Sequence, residues 1–245
     1  MRKVTTCLTL LVAAAAAFAA PAMAVSLMSE TFTYADGNLV PNGGWANHSG
    51  VGTDIQVVSG VAVGDMNSAP DDNKGFAAQD STATTYACFN VRIPNPGGTP
   101  RTNYFAHLKD GTTTNFVARV FVAPQGTTFS FGLSVFSGTM AVQWATALNY
   151  DQWYTVVIRY NGATDNATLW VNPANELSTN ITTTAPGLSV GVSAFALRES
   201  NTGTGTLWKY NVDNVGVGTT FDDACASGPT PTRGTTWGQL KSIYR

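Results

Sequence analysis

Residues 154–173 read YTVVIRYNGATDNATLWVNP, two runs of β-branched and aromatic residues around a polar turn. Successive side chains of a strand point to opposite faces, so Tyr154, Val156, Ile158 and Tyr160 share one face and Thr155, Val157 and Arg159 the other. After NGATDN, Leu169 and Val171 alternate against Thr168, Trp170 and Asn172. The pattern predicts a β-hairpin with one core face. Its second face gathers Trp170, Arg159 and Asn172, a grouping that holds sugars: the ring stacks on C–H faces and the polar groups bond hydroxyls. The alternative is that Trp170 packs under a loop or fills the core.

The same period-two signal recurs outward from the hairpin, in IQVVSGVAV (55–63), TYACFNVRI (85–93), NYFAHL (103–108), NFVARVFVA (115–123), TFSFGLSVF (128–136), MAVQWAT (140–146), LSVGVSAFAL (188–197) and TLWKYNVDNVGVG (206–218). Between them lie PNPGG, KDGTTT and APQG, which are turn chemistry rather than helix caps. About ten to twelve strands without intervening helices predict an all-β chain, a two-sheet antiparallel β-sandwich or jelly roll. The strand-rich part is long enough for one large sandwich and too short for two.

The N-terminus reads MRKVTTCLTLLVAAAAAFAAPAMA: two basic residues, an apolar run, then Ala22-Met23-Ala24. A run this short followed by a small-x-small site predicts a cleaved signal peptide over 1–24 and a secreted or cell-surface product, with no transmembrane segment. The 13 basic and 15 acidic residues give a formal charge of −2, and losing Arg2 and Lys3 leaves −4. Scattered cations in an acidic chain offer no stripe for phosphates, so nucleic acid is not an expected partner.

Cys7 leaves with the signal, and Cys88 and Cys225 remain. In an oxidising compartment this pair predicts one disulfide, whose long loop is worth about 4 to 5 kcal/mol in the chain-entropy model. The alternative is two separate thiols. The sandwich is then expected over 25–225, a Pro/Gly/Thr linker over 226–234, and a short tail, TTWGQLKSIYR, over 235–245. In that tail Trp237, Leu240 and Ile243 or Tyr244 are three or four apart, as on one helical face, so it is expected to dock on an envelope or sorting partner or to serve as a terminal tag.

SETFTYADGNLVPNGGWANHSG (29–50), IQVVSG (55–60), the hairpin itself, VSAFALRES (192–200) and VDNVGVGTTFDDA (212–224) together resemble the concanavalin A-like, laminin-G-like jelly rolls of secreted bacterial proteins. The resemblance runs from about residue 28 to about 224. It implies two curved sheets, pairing of the first and last strands, and a concave sheet or rim that receives carbohydrate. It also implies structural calcium in some members. Glu30 and Asp213, on the strands expected to pair, are the candidate calcium ligands; Asp71, Asp72 and other loop acids are further oxygen donors.

Jelly-roll glycosidases of this superfamily carry Glu-x-Asp-x-x-Glu on one strand, because residues two apart share a face. Glu30, Glu176 and Glu199 are isolated from one another, and Glu199 has no carboxylate two or four residues away. The chain is therefore expected not to be an enzyme. Trp45 and His48, in the glycine-rich GGWANHSG, are a second candidate ligand pair at the rim. The reading is a secreted carbohydrate-binding or adhesion module contacting a glycan through Trp170, Arg159, Asn172, Trp45 and His48. A structural envelope protein held by its C-terminal tail, and a glycoside hydrolase, are the alternatives.

Overall fold

The computed structural model describes residues 25–98, 100–200 and 208–226. The signal segment, the tail and all of the linker after Ala226 lie outside these residues. The described chain opens with β1 (Ser26–Glu30), β2 (Gly37–Asn38) and, after one 3-10 turn, β3 (Trp45–Ser49). A hairpin of β4 (Gln56–Val58) and β5 (Val61–Asp65) leads into β6 (Asp71–Gln79), β7 (Thr84–Arg92) and β8 (Asn103–Lys109). β9 (Phe116–Gln125) and β10 (Thr128–Ser134) form a second hairpin, followed by the two-residue β11 (Val142–Gln143) and β12 (Leu148–Asn149). The quoted stretch supplies β13 (Trp153–Asn161) and β14 (Asn166–Val171). β15 (Ile181–Thr184), β16 (Val192–Arg198), β17 (Lys209–Gly218) and the helix α1 (Phe221–Cys225) complete the order.

The strands build two antiparallel sheets. The nine-stranded sheet runs β15-β14-β13-β7-β17-β5-β4-β2, with β1 on β17. The eight-stranded sheet runs β11-β10-β9-β8-β16-β6-β3, with β12 on β10. First and last strands pair, Met28 opposite Val217 and Glu30 opposite Val215. The expected two-sheet sandwich is the observed fold.

Alternation delivers the core as the sequence implies. Val156, Ile158, Tyr160 and Leu169 face Phe105, Phe129, Phe131 and Phe195 across one continuous apolar layer. A full side chain removed from water here contributes about 1.5 to 3 kcal/mol. Among the described residues no helix is long and apolar enough to cross a membrane.

Three segments differ from the sequence reading. PDDNKG, read as a loop, opens β6, which pairs with both β16 and β3. Two flanking strands satisfy its backbone and override the poor strand propensity of Asp, Asn, Lys and Gly. WANHS likewise forms β3 rather than loop, whereas MAVQWAT keeps only Val142 and Gln143 as strand.

Candidate functional site

The hairpin does bring Trp170 and Arg159 together, the guanidinium lying 5.7 Å from the ring centre. The arrangement is nevertheless structural. After β17, Thr220 caps α1 by accepting from the Asp223 N–H, and the helix lies against the outer face of the nine-stranded sheet. Phe221 meets the Trp170 ring edge-on at 5.7 Å, and Cys225 is joined to Cys88 by a disulfide, with Cα atoms 5.2 Å apart. Trp170 is left 1% exposed, its Nε1 donating to the Glu176 carbonyl at 3.1 Å. Arg159 is spent on Thr168, Asn166 and Glu176. Asn172 is exposed, but its Oδ1 accepts from the Thr155 N–H at 2.8 Å. No ring face of Trp170 is open to a sugar. Of the described tryptophans the exposed one is Trp153, 45% open beneath Arg92.

Trp45 and His48 do not act as a pair. Trp45 is 2% exposed, stacks on Phe32 at 5.8 Å and donates from Nε1 to Glu30 at 2.9 Å. Glu30 also accepts from the Phe32 N–H at 2.6 Å, the Tyr34 hydroxyl at 2.8 Å and the Lys74 ammonium at 2.7 Å. Burial alone would raise its carboxyl; Lys74 and the other three donors outweigh this and hold it below the usual range. Asp213 is pushed up by burial, is engaged at both oxygens by Asn214, and faces the Glu30 charge. These two carboxylates do not fit a calcium ion. Their oxygens already hold donors, one of them a cation, and among the described residues no group of three or more His, Cys, Asp or Glu is arranged to hold a metal.

His48 belongs elsewhere. Three residues on from the core-facing Trp45, it falls by alternation on the outer face of the eight-stranded sheet, where it meets Phe116 at 5.5 Å and His107 at 6.0 Å. This face is built from side chains that the sequence reading did not single out. Phe116 and Arg119, three apart on β9, share it because Ala118 between them takes a left-handed φ of 51°, a bulge that absorbs one residue. On β16 the small Ala194 and Ala196 leave space for neighbours to meet across them, so Lys109 from β8 reaches Asn73 on β6 at 3.3 Å. Tyr104 lies at the centre. The Arg198 guanidinium is 4.2 Å and that of Arg119 4.8 Å from its ring centre, and Phe121 and His107 border it. Met140 packs on Gly132, and Gln143 donates to Ser130 at 2.6 Å, closing the β10 end.

The charges on this face are poorly matched. Arg198 has Asp71 at 3.8 Å and Asn103 at 3.1 Å. Arg119 has the Phe116 carbonyl, 3.2 Å from its Nε, and three rings. Both nitrogens of His48 and of His107 are buried without a hydrogen-bond partner. Burial, and after it the Lys109 charge, lowers His48 to about 4. Burial lowers His107 well below its ordinary value, and His48, Arg119, Arg198 and Lys109 add to it. Both imidazoles are neutral at pH 7.

A second polar site lies where β16 and β5 end. A cleft of about 370 Å³ is lined by Asp54, Asp65, Ser68, Glu199 and Lys209 among others. Glu199 accepts from the Asp65 N–H at 2.7 Å. Burial pushes it up to about 7, against that bond and Ser68, with Asp65 and Asp72 adding repulsion. Asp72 rises to about 6, by burial and then by Asp54. Carboxyls that are isolated along the chain thus gather in space. A search for pairs within one strand does not find them, because Asp65 ends β5, Asp72 lies on β6 and Glu199 follows β16.

Comparison with known proteins returns no matching family and no matching curated protein. Solved structures do match. The CBM2 module of the evolved Dit of Lactobacillus casei BL23 phage J-1 is similar at 15% identity and a TM-score of 0.54, over 80% of this chain and 96% of that one. Peanut lectin is similar at 14% identity and 0.51, over 81% and 98%. The alginate lyase AlgAT5, of polysaccharide lyase family 7, stands at 12% and 0.48, over 71% and 93%. The first two place the chain among jelly-roll β-sandwiches, consistent with a concanavalin A-like fold. The lyases correct the expectation that the chain is not an enzyme: jelly rolls among its structural neighbours include catalysts, and the missing Glu-x-Asp-x-x-Glu excludes one motif only. At this identity none of them assigns a reaction.

Proposed function

We propose that the protein is an exported carbohydrate-binding sandwich of the laminin-G-like type, and that its sugar site is the outer face of the eight-stranded sheet. The observation that carries the reading is Tyr104 between two guanidinium groups, with neutral, unpartnered His48 and His107 beside it. Tyr104 is only 7% exposed and carries a guanidinium at 4.2 and another at 4.8 Å, so its part is to hold the two forked donors, and the sugar is bound through its hydroxyls by those forks and the imidazoles. The likeness to peanut lectin and to a CBM2 module supports this reading at the level of fold. A glycan array probed with the wild type and with Tyr104→Leu tests it; hits that Tyr104→Leu loses are expected, and an array without hits overturns it.

A second reading rests on the carboxylate cleft. A Glu199 carboxyl that keeps its proton near neutral pH beside ionised Asp65 has the form of a general acid and its partner, as in glycoside cleavage. Release of reducing ends from a bound glycan, abolished by Glu199→Gln, is the result this reading expects.

A further inference from the structure

Resting on the carbohydrate reading, we propose that the ligand is acidic, and that Arg119 receives the carboxylate of a uronate residue. Arg119 is only 8% exposed, and among the described residues it has no carboxylate partner. Its guanidinium sits 4.8, 5.4 and 5.7 Å from the ring centres of Tyr104, Phe116 and Phe136, and Nε alone is bonded, to a carbonyl. Lys109, 3% exposed, is met by the Asn73 amide oxygen and the Asp110 carbonyl; the Asp110 carboxylate itself is occupied by Thr112 and Asn115. Asp71, a carboxylate on the same face, is turned to Arg198.

Burying a cation without a counter-charge is unfavourable, and leucine or methionine would fill the space between three rings without that cost. The retained charge therefore has a use. The unused Nη1 and Nη2 form a planar fork that matches a carboxylate with two parallel bonds. A hexuronate carries its carboxylate beside the ring, so one residue lying along this face presents that group to Arg119. A sulfate ester shares the charge, but its tetrahedral oxygens and more distant attachment fit the fork less well.

The test compares binding of the protein to polygalacturonate, polymannuronate, dextran sulfate and uncharged dextran by isothermal titration at two salt concentrations. Binding of at least one polyuronate, absent for dextran and weakened by added salt, is expected. Arg119→Lys, which keeps the charge and removes the fork, should weaken it roughly ten- to a hundredfold. Lys109→Gln should weaken it less and flatten the salt dependence, which keeps the test decisive if Arg119→Lys misfolds. Dextran bound as tightly as the polyuronates overturns the acidic ligand and leaves the carbohydrate reading standing. Preference for dextran sulfate overturns the carboxylate. Binding of none of the four overturns the proposal, and the glycan array then decides separately whether the carbohydrate reading survives.

Discussion

Arg119 and Arg198, from strands two apart in the eight-stranded sheet, point their guanidinium groups at the same Tyr104 ring, at 4.8 and 4.2 Å from its centre. The ring stabilises both cations through its π face. Tyr104→Phe preserves this and should leave melting temperature and glycan binding close to wild type. Tyr104→Leu removes two cation–π contacts worth about 1 to 2 kcal/mol each, and with them the ring that holds both guanidinium forks in place. Thermal unfolding and titration of the three proteins side by side check this; equal binding by Tyr104→Leu would contradict it.

Trp170 is a core residue of the nine-stranded sheet's outer layer. Trp170→Ala should destabilise the protein by about 3 to 5 kcal/mol, the range for large buried aromatics, through the cavity left under Phe221. Below the melting transition, ligand affinity should be unchanged. Denaturant unfolding followed by titration of the folded variant separates the two effects.

The Cys88–Cys225 disulfide spans 137 residues and pins α1 over Trp170. The chain-entropy model gives about 5 kcal/mol for a loop of this length. Cys88→Ser with Cys225→Ser should lower stability by a few kcal/mol and loosen α1 first. Acrylamide quenching of tryptophan fluorescence, rising in the variant under native conditions, is the expected signature.

The buried carboxyls give stability a definite pH dependence. The folded state holds Glu199 protonated up to about 7, against 4.5 when unfolded, so in this window the native state binds the extra proton and stability falls as pH rises. Asp71 and Asp72, raised to about 6, act in the same direction between 3.8 and 6. His48, lowered from 6.5 to about 4, acts oppositely: the unfolded state binds more protons there, and stability rises with pH. These terms offset one another below pH 6, and above it Glu199 dominates. Glu199→Gln should therefore gain stability relative to wild type as pH goes from 5 to 8. A difference in melting temperature that stays constant over that range would contradict the assignment.

The fold was largely legible because alternation is a local property. IQVVSGVAV, TYACFNVRI, NFVARVFVA and the opening hairpin all became strands where the period of two placed them. β6 was hidden because DDNKGFAAQ owes its strand conformation to two partners distant in sequence. The site was less legible. Alternation correctly put Trp170 and Arg159 on one face, but nothing near them in sequence says that the FDDAC helix returns to cover that face. Arg119 and Phe116 were missed because they are three apart on one strand, and only the bulge at Ala118 lets them share a side. The single cation set between two aromatics in FVARVF was the one available signal.

The outer face of the eight-stranded sheet, rather than the Trp170 hairpin, is the proposed carbohydrate site. One glycan array probed with wild type, Tyr104→Leu, Trp170→Phe and Trp153→Ala tests it most directly. Hits kept by Trp170→Phe and Trp153→Ala but lost by Tyr104→Leu are the predicted result. Hits lost by Trp153→Ala or Trp170→Phe and kept by Tyr104→Leu would place the site on the other sheet and contradict the account.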